Sequence, residues 1–244
     1  MNNKVAIVTG ASRGIGAATA KLLGKEGYLV CVNYYKNVEK AEAVVADIKK
    51  SGGNGIVVQA DISKEEEIVD MFKHVVNTFG PVTALVNNAG ISGDTSFVED
   101  VTLILLESVF MTNVYGPFLC AREAIKHMKQ AGHGCIVNVS SEAAEFGGHR
   151  LSHYAASKAA INAFTVGFAR EAAQYNVRVN AVSPGIIDTD ANKSVSQERA
   201  KHLKKSLPMG RMGTPVEVAE TILWLLSDKA SYITGSIVSV AGGR

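Results

Sequence analysis

The chain has 244 residues, 47% of them hydrophobic and 20% charged, with a formal net charge of +2. That balance excludes a disordered chain, and the even spread of Lys and Arg gives no reason to expect a nucleic-acid or membrane-surface partner. Cys31, Cys120 and Cys135 are an odd, widely spaced set, which argues against a disulfide framework and against a zinc site.

The opening stretch MNNKVAIVTG holds an apolar run too short for a signal peptide or a membrane span, so a cytoplasmic protein is expected. KVAIVTG reads as a buried strand, and GIGAATAKLLGKEG as the helix after it. YLVCVNY is a second strand, followed by a helix over residues 37 to 51 with Asn37 as its cap. NGIVVQADI is a third strand. Ser63 and Glu66 predict a capping box for a helix that ends near Gly80. VTALVNNAG is a fourth strand, then a long helix over roughly 101 to 131 with a break expected near Gly116 and Pro117. GCIVNVSS, a helix from about Tyr154 to Tyr175, VRVNAVSPG, a helix capped by Thr214-Pro215 with Glu217, and GSIVSVAGG complete the chain. Strands that are apolar on both faces, alternating with helices, predict one α/β domain over 1–244. It is a doubly wound, Rossmann-type fold with a seven-stranded parallel sheet and helices on both faces. The polar stretch 188–207 reads as a substrate lid within that domain.

TGASRGIG, residues 9–16, joins the first strand to the first helix. Gly10, Gly14 and Gly16, with Ser12, Arg13 and Ile15 between them, would let the backbone approach a pyrophosphate at a helix N-terminus. The spacing is G-x-x-x-G-x-G, a variant of the dinucleotide fingerprint. An acid at the end of the second strand would select NAD; here Tyr34 stands in that place, and no Asp or Glu lies within Asn33 to Asn37. Arg13 and Lys36 are cations suited to a 2′-phosphate, which favours NADP(H) over NAD(H). Asp61, with Ile62 after it, ends the third strand where adenine would fall. YAASKAA, residues 154–160, sets a phenol and an ammonium at i and i+4 on one helix face kept low by small residues.

With TGASRGIG, NNAG (87–90), Asn113, NVSS (138–141), YAASK (154–158) and SPG (183–185) in this order, the chain resembles the short-chain dehydrogenase/reductase family over essentially its full length. The resemblance implies that Ser141, Tyr154 and Lys158 are catalytic, that Asn113 is the fourth member of the set, and that Asn113 holds a water between Lys158 and solvent. Ser140 is the neighbouring candidate; the family's usual spacing to the tyrosine selects Ser141. The resemblance further implies that Asn87, Ala89 and Gly90 line the cofactor ribose and that Pro184, Gly185, Ile187 and Thr189 hold the nicotinamide end. It implies a homotetramer too. Two departures stand out. Ala241 replaces the aspartate of a frequent DGG ending, and Asp190-Ala191 follows Thr189 where a methionine is common.

Carbonyl reduction needs a hydride on carbon and a proton on oxygen. A tyrosine supplies that proton at neutral pH only if its ordinary pKa of about 10 is lowered, and Lys158 one helical turn on is placed to do so. Ser141 would donate a hydrogen bond to the substrate oxygen, and Glu142 beside it is a candidate substrate contact. His149 and His153 read as pocket-wall or surface residues, and no metal site is expected. The activity expected is an NADP-dependent oxidoreductase acting on a small-molecule carbonyl or alcohol, such as a sugar or polyol. A 3-oxoacyl thioester on acyl carrier protein is the alternative substrate, weakened because KQAGHG and AAQYN hold no arginine to grip an acidic carrier. A non-catalytic dinucleotide sensor on the same fold is the reading from another class; the complete catalytic set counts against it.

Overall fold

In the computed structural model, which describes residues 4–189 and 207–244, seven parallel strands form one sheet in the order β3-β2-β1-β4-β5-β6-β7. They are β1 (Val5–Val8), β2 (Leu29–Tyr34), β3 (Asn54–Gln59), β4 (Ala84–Asn87), β5 (Gly134–Val139), β6 (Val177–Pro184) and β7 (Ile237–Val240). The helices are α1 (Gly14–Lys25), α2 (Val38–Lys50), α3 (Glu65–Phe79), α4 (Leu103–Phe110), α5 (Gly116–Ala131), α6 (Ala143–Phe146), α7 (Ser152–Ala172) and α8 (Pro215–Leu226). The order reverses between β1 and β4, which pair Ala6 with Ala84 and Val8 with Val86. A crevice for a ligand forms at such a switch point, beyond the strand C-termini.

The apolar runs form strands because both of their faces are covered. Val8, Val30, Val32, Val86 and Val137 pack against residues of α1, α2 and α8, among them Leu23, Ile48 and Ile222. Ile7, Cys31, Leu85, Ile136 and Val179 pack on the other side against Phe72, Met71, Met128 and Ala169 of α3, α5 and α7. Each large side chain taken fully out of water contributes about 1.5–3 kcal/mol, so the two layers outweigh the local preferences of the connecting loops. The cysteines are part of this core: all three are free and buried, and burial pushes the Cys135 thiol up to about 11 and that of Cys120 to about 12.

Most helix ends follow the local signals. The Asn37 side chain accepts from the Lys40 N–H (2.9 Å), and Thr214 and Glu217 form the full capping box. The box expected from Ser63 and Glu66 does not form. Ser63 is claimed by an adjacent turn, where Asp61 Oδ1 accepts from both the N–H and the hydroxyl of Ser63, and Glu67 Oε2 accepts from the Asp61 N–H. Helix α3 therefore starts one residue later, with Lys64 as an N-cap that makes no side-chain bond. The break expected at Gly116 and Pro117 is also displaced. The run Leu103–Ala131 is continuous, and its irregularity is a π turn over Met111–Tyr115. Gly116 and Pro117 follow that turn directly, the Gly116 N–H donating back to the Met111 carbonyl, so the irregularity abuts the two breaker residues.

By length and composition the run Leu103–Ala131 is apolar enough to cross a bilayer, with a hydropathy of 1.5. Its inner face instead supplies Cys120, Ala121, Ala124 and Met128 to the core, while Leu103, Ile104, Tyr115 and Phe118 are exposed. Of the expected lid over 188–207, residues 190–206 lie outside the described residues.

Glycine carries a structural load where the chain is both left-handed and crowded. Gly10 has φ +61, and a Cβ there would lie 2.8 Å from Ala89 Cα; Gly132 has φ +72 with open space around it. Gly132→Ala should cost about 1–2 kcal/mol for the backbone alone. Gly10→Ala adds an overpacking cost of about 1–3 kcal/mol, so it should melt clearly lower than Gly132→Ala. Equal melting temperatures would show that the contact with Ala89 relaxes freely.

Candidate active site

The turn after β1 is built around backbone N–H groups. Asn33 at the end of β2 accepts from the Gly10 N–H (3.1 Å). Asn88 donates to the carbonyls of Thr9 (2.8 Å) and Gly10 (3.1 Å), and the Thr9 hydroxyl oxygen accepts from the N–H groups of Asn88 and Ala89. A Cβ on Gly16 would meet the Gly10 carbonyl oxygen at 2.7 Å. The glycines thus let β1, α1 and the segment after β4 close on one another. Helix α1 begins at Arg13 with no side-chain cap and no acidic residue in its first turn. Its N-terminal partial positive charge is left for an external anion, which fits the pyrophosphate of a dinucleotide. Ser12 and Ile15 are half-buried in this turn and Arg13 is exposed. Thr189 sits opposite, its Cγ2 3.5 Å from the place of a Cβ on Gly14.

Around this floor the other candidate residues divide. Tyr34 is buried, its ring part of the core beside α1 and α2. Lys36 is exposed, its Nζ over the Tyr35 ring at 5.0 Å. Asp61 turns its carboxylate on Ser63, and Ile62 is buried in the core. Asn87 points away from the crevice: its amide donates to Asn138 (2.9 Å) and to the Pro117 carbonyl (3.3 Å). Ala89 and Gly90 follow at the rim, and a Cβ on Gly90 would lie 3.2 Å from Asn113 Oδ1 and 3.4 Å from Lys158 Nζ. Pro184 ends β6, Gly185 approaches Ala241, and Ile187 bridges to Gly213.

The four residues expected to be catalytic lie together over the C-terminal ends of β4 and β5. Ser141 lies just beyond β5, Tyr154 and Lys158 occupy successive turns of α7, and Asn113 lies in the π turn. The structure separates the two serines. Ser140 donates to the Lys158 main-chain carbonyl (3.2 Å), whereas Ser141 accepts from the Ala143 N–H (3.2 Å) and stands beside Tyr154. Lys158 Nζ donates to the Val139 carbonyl (2.8 Å) and lies 5.8 Å from the centre of the Tyr154 ring. The Asn113 side chain is wholly engaged: it accepts from the Ile91 N–H, and donates to the Ile91 carbonyl and to Ser157 Oγ. It is a latch between the loop after β4 and helix α7.

The expected acidification of Tyr154 is absent from the protein by itself. Burial raises the Tyr154 pKa above its ordinary value, and the Ser141 hydrogen bond opposes this only in part. Burial also depresses Lys158, to about 8. Sequence spacing sets the two groups side by side but carries no information on desolvation, which dominates here.

Glu142 does not face solvent. Its side chain is 14% exposed and its Oε1 pairs with Arg244 Nη1 at 2.8 Å. His149 meets the Phe97 ring edge-on, and His153 is buried with Nε2 3.0 Å from the Ser92 carbonyl. A groove of about 660 Å³ lined by Tyr28, Ala84, Cys135 and Arg178 opens at the opposite edge of the sheet, by the strand N-termini, and includes none of these residues. The bracing residues Thr9, Asn33, Asn88 and Asn138 were not singled out from the sequence. The signal available was a polar residue inside an otherwise apolar strand, as in Asn33 and Asn138.

A family model described as enoyl-(acyl carrier protein) reductase matches residues 10–244. The chain is 48% identical over 245 aligned positions to the uncharacterized oxidoreductase YgfF of Escherichia coli K12, covering 98% of this chain and 99% of the relative. It is 40% identical to the 3-oxoacyl-[acyl-carrier-protein] reductase FabG of Staphylococcus epidermidis, covering 99% and 98%. A solved double mutant of a Serratia marcescens short-chain dehydrogenase/reductase superposes with a TM-score of 0.92 at 34% identity, covering 98% of this chain and 97% of the other.

The buried Lys158 ammonium predicts a stability change with a defined sign. A lysine whose folded pKa lies near 8 binds fewer protons than the unfolded chain from there up to its ordinary value of about 10.5. Its contribution to stability therefore rises with pH across that window, and at pH 7 the folded state carries the full penalty. Lys158→Met should melt higher than wild type at pH 7, with the gap narrowing as pH rises above 8. A variant that melts several degrees lower at pH 7 would show that the bond to Val139 outweighs the desolvation.

Proposed function

The chain belongs to the short-chain dehydrogenase/reductase family, oxidoreductases that use a nicotinamide cofactor on CH–OH groups, and from that premise we propose that it moves a hydride between NADP(H) and a small-molecule carbonyl or secondary alcohol, with Tyr154 as general acid and base. The observation that carries this reading is the placement of Ser141 beside Tyr154, with the buried Lys158 Nζ 5.8 Å from the Tyr154 ring centre and held by the Val139 carbonyl.

The amides of Gly10, Ser12, Arg13, Gly14, Ile15 and Gly16 would hold the pyrophosphate, with Arg13 and Lys36 on a 2′-phosphate. The exposure of both cations, and the burial of Tyr34 without a carboxylate beside it, support NADP over NAD. Asp61 and Ile62 would border the adenine, and Asn87, Ala89 and Gly90 the nearer ribose, Asn87 from behind through its bond to Asn138. Pro184, Gly185, Ile187 and Thr189 would frame the nicotinamide end. The cofactor supplies the hydride; the chain's own residues handle the proton. Ser141 donates to the substrate oxygen, and Tyr154 gives that oxygen its proton. The charge of Lys158 favours the phenolate left behind. Burial leaves the phenol neutral, so the Tyr154 proton is in place for transfer to the substrate oxygen, while Lys158 with a pKa of about 8 is still mostly charged at pH 7. Asn113 keeps the wall of the site against α7.

The exposed Leu103, Ile104, Tyr115 and Phe118 on α4 and α5, with Phe118 stacked on Phe164 of α7, support burial of this face against other copies in a homotetramer. A second reading, reduction of a 3-oxoacyl thioester on a carrier protein, is favoured by the activity that the Staphylococcus epidermidis relative's name gives. Against it stands Lys129, the cation of the KQAGHG stretch, whose Nζ is engaged over the Tyr175 ring at 4.0 Å.

The reading predicts NADPH oxidation with at least one member of a ketone panel that includes a 3-oxoacyl thioester, free and carrier-bound. Selective use of the carrier-bound form would favour the second reading, and tight NADPH binding without turnover on any member would contradict both. A charge-assisted hydrogen bond to phosphate is worth about 1.5–3 kcal/mol, so Arg13→Ala should weaken NADPH roughly ten- to a hundredfold and leave NADH nearly unchanged. A wild type that already prefers NADH would overturn the phosphate assignment.

A further inference from the structure

We propose that Glu142 and Arg244 form a positioning pair, in which the last residue of the chain clamps the ends of β5, β6 and β7 together and so fixes Ser141 against the turn at Pro184 and Gly185. This rests on the reading of Ser141 as donor to the substrate oxygen. Glu142 follows Ser141 directly, and its main chain is tied to β6 by an N–H donated to the Pro184 carbonyl (3.0 Å). Gly185 in turn donates to the Val240 carbonyl (3.1 Å), and a Cβ on it would lie 2.9 Å from Ala241 Cα and 3.1 Å from Glu142 Oε2. The chain then reverses through Gly242 and Gly243, at φ +63 and +93, conformations open to glycine. That reversal brings Arg244 back to Glu142, with Nη1 2.8 Å from Oε1. Three strand ends and the C-terminal tail thus close into a ring, and the ion pair is the side-chain link in it.

The geometry also removes Glu142 from direct contact with substrate. Oε1 is taken by Arg244, and Oε2 is buried against Gly185 with no hydrogen-bond partner among the described residues. A carboxylate sunk in this way is retained because a cation holds it, and burial raises its pKa while Arg244 opposes the rise. Losing either partner frees the tail, and Ser141 and Gly185 lose the register between them. Displacements on the scale of 1 Å in a positioned group cost up to roughly a hundredfold in rate.

The test uses the full-length enzyme with NADPH and any ketone that it reduces. Arg244→Met and Glu142→Gln should each lower kcat roughly ten- to a hundredfold with KM for the ketone little changed. The double variant should be no worse than the poorer single one, because both break one link, and Arg244→Lys should restore most of the rate. Amide hydrogen exchange should quicken over residues 141–147 and 184–186 in both single variants. That readout needs no turnover, and Ser141→Ala run beside it separates the two claims. A harmless Ser141→Ala with faster exchange in Arg244→Met would sink the role of the serine and keep the clamp. Unchanged exchange and unchanged kcat in Arg244→Met would overturn the clamp. So would a Glu142→Gln that raises KM while Arg244→Met does nothing, since that pattern belongs to a substrate contact.

Discussion

The site depends on a single buried cation. Lys158 Nζ is held under the end of β5 by the Val139 carbonyl, within the wall that also carries Ser140, Ser157 and Asn113. An ammonium in such a place is costly, and its depressed pKa is the mark of that cost. Its neighbours follow from the need to keep it there. Ser140 fixes the Lys158 main chain, Ser157 turns away to serve Asn113 and Tyr154, and a Cβ on Gly90 would crowd Asn113 Oδ1 at 3.2 Å. The phenol of Tyr154 shares the same desolvated space, and burial raises its pKa as it lowers that of Lys158.

A second constraint is closeness of main chain to main chain. The dinucleotide floor opens where β1 stops at Val8 while β2 runs on to Tyr34 and β4 to Asn87, and nearby asparagine side chains bond the turn that follows β1. Asn33 and Asn88 hold the glycine turn from opposite sides. Farther in, Asn87, Asn138 and Thr165 form a buried polar chain that links β4 and β5 to α7. That chain is satisfied on the donor side, while Asn87 Oδ1 lacks a partner among the described residues. The rigidity of the crevice and the placement of α7 are therefore one problem, solved by the same few amides.

What could be read from the sequence was what is local in it. The parallel sheet followed from runs apolar on both faces. The Tyr154–Lys158 pair followed from helical period, and the Thr214–Glu217 cap from three-residue spacing. The capping box at Ser63 failed because its competitor, the Asp61 turn braced by Glu67, is built from equally ordinary signals a few residues apart. The kink was assigned to Gly116 and Pro117 because breaker residues are visible, whereas the π turn is fitted around Asn113 through Ile91 and Ser157, contacts far away in sequence. Glu142 read as a candidate substrate contact, since nothing in a linear reading joins it to Arg244 about a hundred positions later. The direction of the Tyr154 shift was misread for a related cause: proximity is written in spacing, but burial is a property of the packed whole.

Tyr154 is the proposed proton donor. The most direct measurement is the single-turnover hydride-transfer rate of folded, NADPH-saturated Tyr154→Phe with a ketone that wild type reduces. The phenylalanine keeps the ring and its packing, so NADPH affinity should be unchanged while the rate falls by about 10²–10⁴-fold, the usual contribution of a general acid. A rate within a few-fold of wild type would contradict the account and leave Tyr154 and Lys158 as a buried pair with no part in the chemistry.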